Sequence, residues 1–436
     1  MKYFIIFIVL NILLGVVYSD GNVTPQSIKI AFSQSIDQIR ITWYTEDISE
    51  APVILYNTQL FSPEKDSSLA VQGEVISYKS EDSNFVGHPN TAVIEGLSDF
   101  TTYYYCVGDK SVGVYSQIYN FTTGITSNIG QFESFTLAFY GDMGFGGVGL
   151  QSDFPTINNV LSRDDISFII HVGDIAYADL GASTELTGNQ TIWNGFLESI
   201  TPLATHLPYM TCPGNHDLFY DDLSVYSRTW QMPTDKDSDT WYSFDYNGVH
   251  FVGFSSEHDY TPLSPQFAWL ENELKTYRQS NPDGWLVAYS HRPFYCSAIW
   301  DWCDDTPSDS ITHHNDSLGK ETFNLIEDLL YQYNVDLYLA GHQHAEEYSV
   351  PVYKGKNTGS FDEPKATVHI TVGTGGNADG SIAGWQSRPT WAGGERTVSP
   401  GFAMLTFYNS TSLGYKFVAN VNNTIIDEFT LTKGSF

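Results

Sequence analysis

The chain has 436 residues with 42% hydrophobic content, more than one core usually organises, and is read as two domains. Fifty-one acids against twenty bases give a formal charge of −31, which argues against nucleic acid or an anionic membrane as the natural partner, since both need a basic face. An anionic substrate would therefore need a strong local positive charge at its site.

The chain opens with a lysine, an apolar run from Phe4 to Val17 and small residues near Ser19. This reads as a secretory signal peptide over 1–19; an uncleaved anchor fits the short run less well, and no later run is long enough to span a bilayer. Sequons at Asn22, Asn120, Asn189, Asn315, Asn409 and Asn422 agree with a glycoprotein that is secreted or delivered to a lysosome-like compartment. Of the four cysteines, Cys296 and Cys303 flank a short Trp-rich loop and are the expected pair, while Cys212 reads as a buried thiol. Four cysteines allow three full pairings, and spacing does not choose among them.

Residues 22–128 carry short, regular strand signals: SIKIAF, QIRITWYT, APVILYNT, EVISYKS, TAVIEGL, TTYYYCVGD and YSQIYNFTT. With polar turns between them and no helical period, they predict a β-sandwich of about immunoglobulin size. The stretch from Leu97 to Tyr103 resembles the tyrosine corner of fibronectin type III-like domains, and Trp43 suits a buried core tryptophan.

From residue 130 to 436 apolar strands alternate with helical stretches. FTLAFYGD precedes a helix near 153–161, ISFIIHVGD one near 192–200, and LPYMTCPGNHD follows. The strands WYSFDY and VHFVGFS meet at Asn247-Gly248, suited to a type I′ turn. Then come a helix near 265–277, GWLVAYSH, a helix near 320–333 and VDLYLAGHQH. This alternation predicts an α/β domain. Strands near ATVHITVG, AMLTFYN, GYKFVANV and IIDEFTL are expected to form a further sheet closing the same domain.

Five strand ends carry acids, amides or histidines: Asp142 in GDMG, Asp174 and Tyr177 in GDIAY, Asn215 and His216 in GNHD, His291 in SHRP, and His342 and His344 in GHQH. In open α/β sheets ligands collect beyond the carboxyl ends of strands, so these segments can converge on one crevice. Glycines before Asp142, Asp174, Asn215 and His342 are expected to turn the backbone sharply and keep the space clear. Taken singly each has an ordinary reading: Asp after Gly is common turn chemistry, and a strand histidine such as His171 or His369 is more often a hydrogen-bonded core residue. Together they point to metal.

Two aspartates, a tyrosine and one imidazole make a hard donor set. A phenol with a free pKa of about 10 needs a strongly Lewis-acidic ion to ionise near neutrality, which points to Fe(III). Asn215, His291 and His342, sharing one carboxylate, suit a divalent ion: Zn, Fe or Mn.

GDMG, GDIAY, GNHD, SHRP and GHQH resemble the five motifs of purple acid phosphatases, within the calcineurin-like metallophosphoesterases. The resemblance covers essentially the whole mature chain. It implies an N-terminal all-β, fibronectin type III-like sandwich and an α/β metallophosphoesterase domain of two packed sheets flanked by helices, an αββα sandwich. It implies Asp142, Tyr177 and His344 on Fe(III), Asn215, His291 and His342 on the divalent ion, and Asp174 between them. His216 would face the substrate as phosphate donor or general acid; its ordinary reading is support for a neighbouring ligand.

Three departures stand out. The histidine pair that plant-type members often carry after the SHRP-like motif is replaced by FYCSAIWDWC, leaving His216 as first candidate for the leaving-group acid and His313 or His314 as substitutes. GNHD replaces the frequent GNHE, and AEEYSVPVY follows GHQH in place of a tyrosine-glutamate-arginine run.

The expected reaction is hydrolysis of small phosphate monoesters by a metal-bound hydroxide, with an acidic optimum. The alternatives are a phosphodiesterase or nucleotide pyrophosphatase on the same site, and a secreted non-catalytic binding protein; an intact ligand set argues against the last. The N-terminal domain is expected to pack beside the catalytic one and shape one wall of its site, with homodimer formation or partner binding as a further use.

Overall fold

The computed structural model describes residues 22–63, 65, 68–76, 87–145, 155–179, 190–217, 224–235, 240–299, 303, 319–376 and 380–433. The signal sequence, Asn189, Asn315, His313 and His314 lie outside these residues.

The N-terminal strands are β1 (Gln26–Phe32), β2 (Ile39–Thr45), β3 (Pro52–Asn57), β4 (Leu69–Gln72), β5 (Glu74–Val75), β6 (His88–Ile94), β7 (Thr102–Asp109), β8 (Val114–Tyr115) and β9 (Tyr119–Thr122). They form one sheet in the order β1-β2-β6-β5 and a second in the order β4-β3-β7-β8, with β9 also paired to β7. Trp43 is fully buried in the core they enclose. The Tyr103 hydroxyl accepts a hydrogen bond from Ser98 N at 3.0 Å, closing the corner anticipated from the Leu97–Tyr103 stretch. Of the expected strand EVISYKS only Glu74–Val75 is a described strand, and β4 had no clear pattern in the sequence.

The larger domain begins with β10 (Phe135–Tyr140), α1 (Pro155–Leu161), β11 (Ile166–Val172), α2 (Gln190–Ala204), β12 (Tyr209–Cys212) and α3 (Ser224–Thr229). It continues through β13 (Tyr242–Tyr246), β14 (Val249–Gly253), α4 (Pro265–Ser280), β15 (Trp285–Tyr289), α5 (Gly319–Gln332) and β16 (Leu337–Ala340). Last come β17 (Glu346–Tyr348), β18 (Val352–Tyr353), β19 (Lys356–Asn357), β20 (Val368–Val372), β21 (Gly401–Asn409), β22 (Ser412–Ala419) and β23 (Thr424–Thr432). Asn247 and Gly248 both take positive φ, +48° and +82°, as a type I′ turn between β13 and β14 requires.

Two six-stranded sheets result, ordered β12-β11-β10-β21-β22-β23 and β13-β14-β15-β16-β20-β17. The expected separate C-terminal sheet does not form. Instead β21 pairs antiparallel with β10, and β20 pairs parallel with β16, so the C-terminal strands complete the two sheets begun earlier. The open antiparallel edge of β10 offers backbone donors and acceptors that burial obliges some strand to satisfy.

Strand alternation explains the layering. Val287, Tyr289, Leu337 and Leu339 point into the core shared by the two sheets. Leu286, Ala288, Tyr338 and Ala340, their neighbours in sequence, face Leu270 and Leu274 of α4 and Leu330 of α5. Ser264 caps α4, accepting from Phe267 N at 3.1 Å, with Pro265 at the first helical position. The carboxyl ends of β10, β11, β12, β15 and β16 consequently open on one rim.

Candidate metal centre

Each site residue follows its strand by only a few positions, so the sheet fixes where its side chain starts. Backbone hydrogen bonds then lace the loops together: Asp142 N donates to Gly173 O, Met143 N to Asp174 O, and Gly341 N to His291 O. Asp142, Asp174, Tyr177 and His342 themselves adopt left-handed φ values of +60°, +51°, +52° and +67°. A non-glycine residue pays roughly 1–2 kcal/mol for this, strain that the surrounding fold holds in place.

The preceding glycines keep the space clear as expected, but they do not all take the unusual backbone conformation. Only Gly173 has positive φ; the others chiefly supply clearance. A Cβ on Gly214 would lie 2.2 Å from Asp174 Oδ1, and one on Gly341 would lie 2.5 Å from Asp142 Oδ2.

Two groups of donor atoms converge. In the first, Tyr177 Oη lies 2.8 Å from His344 Nε2 and 3.3 Å from Asp142 Oδ1, and His344 Nε2 is 3.3 Å from the same carboxylate oxygen. In the second, His291 Nε2 lies 3.2 Å from Asp174 Oδ2, 3.1 Å from Asn215 Oδ1 and 3.2 Å from His342 Nδ1. Asp174, His291 and His342 offer ligand atoms all within 4.8 Å of one another. An octahedron with bonds of about 2.1 Å has edges of about 3.0 Å, so both groups have the spacing of a coordination shell.

The imidazoles are oriented for this use. His291 Nδ1 donates to Val172 O at 2.8 Å, and His344 Nδ1 donates to Gly380 O, which leaves Nε2 of each ring facing the donors. Arg292, held to Glu257 by bonds of 2.8 and 2.9 Å, places Nη1 3.4 Å from His342 Nε2.

Charge makes the same point. Burial pushes the Asp142 carboxyl above its usual range, opposed by its hydrogen bond with His344. Burial would raise Asp174 too, but the His291 charge and then His216 hold it below the usual carboxylate range. His291 is lowered by burial and raised more strongly by Asp174, to about 9. Buried carboxylates facing one another are costly, and a cation seated among these donors relieves that repulsion.

His216 stands at the rim. Its ring lies beside that of Tyr177, centroids 4.3 Å apart, and Nδ1 donates to Asp179 Oδ2 at 2.7 Å. Its backbone N donates to Asp174 Oδ1 at 2.8 Å. Asp179 and Asp217 were not assigned roles from sequence. Asp217 accepts from Gly214 N at 2.8 Å and Ile175 N at 3.1 Å, tying the GNHD turn to the GDIAY loop. For Asp179, the second acid in GDIAYAD was the available signal.

Other expectations resolve as follows. Cys296 and Cys303 are disulfide-bonded with Cα atoms 5.5 Å apart, and Cys106 and Cys212 are free and buried. His171 accepts or donates a 2.8 Å hydrogen bond with Tyr209 Oη, but His369 differs from the expectation: neither ring nitrogen has a partner among the described residues. Rings of Phe294, Tyr295 and Tyr338 surround it, and burial lowers it to about 3, so it packs as a neutral ring. The AEEY segment that departs from the family pattern is interior: Glu347 accepts from Ser297 N at 2.8 Å and Glu346 accepts from Tyr415 Oη at 2.8 Å.

Comparison with known proteins adds the lineage. Residues 25–123 match the purple acid phosphatase N-terminal domain, 135–346 the calcineurin-like phosphoesterase family, and 366–428 the iron/zinc purple acid phosphatase-like protein C family. Purple acid phosphatase 18 of Arabidopsis thaliana is 31% identical over 399 residues, covering 89% of this chain and 79% of that one. The chain belongs to the purple acid phosphatase family. Acid phosphatase type 7 of Mus musculus is another similar member, 30% identical over 380 residues, with 81% of this chain and 78% of that one covered. A purple acid phosphatase from yellow lupin seeds shares the fold, with a TM-score of 0.79 at 22% identity over 94% of this chain and 75% of that one. As a purple acid phosphatase the chain is a metal-dependent phosphohydrolase, and the two donor groups could hold its metals.

Proposed function

We propose that the chain hydrolyses phosphate monoesters at a dinuclear centre, with Asp142, Tyr177 and His344 holding Fe(III), Asn215, His291 and His342 holding a divalent ion, and Asp174 shared. The observation that carries this reading is the pair of adjacent donor groups with His216 at their rim. When bound, the two ions supply Lewis acidity that activates water and offsets the charge of the phosphoryl group. The rest falls to the chain's own residues. Hydrogen bonds to Val172 O and Gly380 O hold the Nδ1–H of His291 and His344 and aim Nε2 of each ring at the donors. Asp179 holds Nδ1–H of His216, so Nε2 is the nitrogen that can donate a proton to the leaving alcohol or bind a phosphate oxygen.

The secretory route is part of the same proposal: Asn22, Asn120, Asn409 and Asn422 are all exposed, as glycan acceptors must be, and export or delivery to a lysosome-like compartment both use it. The metal-loaded protein assayed with an aryl phosphate monoester beside its diester analogue tests the substrate. Faster turnover of the monoester, with an optimum below neutrality, is expected; preference for the diester would contradict the reading.

A further inference from the structure

A cavity of about 300 Å³ opens at the seam between the two domains. Arg40 and Glu74 come from the N-terminal side, Ser227, Arg228 and Trp230 from α3 and the turn after it. Its volume sits at the lower end of small-ligand sites, about 300–1,000 Å³.

Two cations beside it lack acceptors. Lys29 on β1 is 5% exposed, and its Nζ has no hydrogen-bond partner among the described residues. It lies 5.3 Å from the Tyr44 ring centroid and 5.4 Å from that of Trp230, whose indole also lines the cavity. Arg228 has no carboxylate paired with its guanidinium among the described residues. In a chain with 51 acids and 20 bases, cations readily find acids: Arg278 and Lys433 share Asp336, Arg292 holds Glu257, and Lys354 holds Asp328. Lys29 and Arg228, without an acceptor among the described residues, are therefore out of character. The one acid in the lining, Glu74, is exposed at the rim. Burial lowers Lys29 to about 7, so in acid its charge is present and in want of a counter-ion.

We propose that the seam cavity is a second, non-catalytic binding site for a small tetrahedral oxyanion of the phosphate type, held by Arg228 and Arg40 in front of the Trp230 face. Guanidinium groups give such an oxyanion charge-assisted hydrogen bonds, and the Lys29 ammonium behind the indole adds field without contact. This site stands apart from the metal-ligand residues and does not depend on which metals they hold.

Equilibrium dialysis of labelled inorganic phosphate against the full-length, metal-loaded protein at acidic pH tests it. Wild-type protein is expected to show a second class of bound phosphate beyond that held at the metal centre. In Arg228→Gln that second class weakens at least about tenfold, while turnover at low phosphate is unchanged. Lys29→Met, which removes a buried charge and so does not threaten folding, weakens it too. A single class in wild-type protein, or a second class unaffected by Arg228→Gln, would overturn the proposal.

Discussion

At His216 one hydrogen bond decides which ring nitrogen faces the centre. Asp179 accepts from Nδ1–H, so it acts as a positioning residue. Asp179→Asn is expected to lower kcat roughly 10- to 100-fold with little change in metal content. A loss of kcat matched by a loss of bound metal would mean that Asp179 only shapes the loop.

The residues that carry this chemistry were legible because each departs from ordinary turn composition just after an apolar strand. Asp142, Asp174, Asn215, His291 and His342 could be found that way. Asp179 was not, because a second acid in a polar loop looks like a solvated side chain until His216 from another loop is placed against it. The strain was equally invisible: the glycine before Asp142, Asp174 and His342 suggested that glycine took the unusual conformation, and nothing beside Tyr177 marked it at all.

Among the elements, the hairpin of β13 and β14 is tied to α4 through His250. Its Nδ1 lies 2.9 Å from Asp245 Oδ1 and its Nε2 3.1 Å from Glu273 Oε1, with the Tyr277 ring stacked 4.3 Å away. Both nitrogens donate, so the ring is an imidazolium. Burial alone would lower His250, but the two carboxylates raise it from 6.5 to about 9. A raised histidine contributes stability that is fully present below pH 6.5 and is lost as pH rises through about 9. Thermal unfolding of His250→Gln against wild type should therefore show a deficit of about 2–3 kcal/mol in acid that shrinks towards zero by about pH 10. A deficit independent of pH would assign the effect to packing.

Element type and order were also readable from pattern, because hydrophobic period and turn residues are local. Sheet membership was not. The strands β21, β22 and β23 carry no mark saying that β10 lacks a partner on that side, and only the assembled sheet shows it. Nothing in the AEEY segment marks its acids as interior, yet Glu346 and Glu347 are buried, where Tyr415 and Ser297 meet them. Such pairing is tertiary information.

Across the whole molecule, the N-terminal sandwich and the metal-bearing domain share a packed seam, where Tyr44 Oη and Thr229 Oγ1 lie 2.6 Å apart and the Phe32 ring stacks on Phe244 at 5.2 Å. A chain of charge −31 places its buried imidazoles and aspartates at the rim of two sheets, and metal ions there would give an anionic substrate the positive charge that the composition withholds. The account therefore rests on Tyr177 being a metal ligand. The visible absorption spectrum of the purified, metal-loaded protein tests this most directly, because tyrosinate on Fe(III) gives a charge-transfer band. A band that is present in wild-type protein and absent from Tyr177→Phe is the predicted result. A colourless wild-type protein with its metals in place would remove Tyr177 from the ligand set and contradict the ferric assignment.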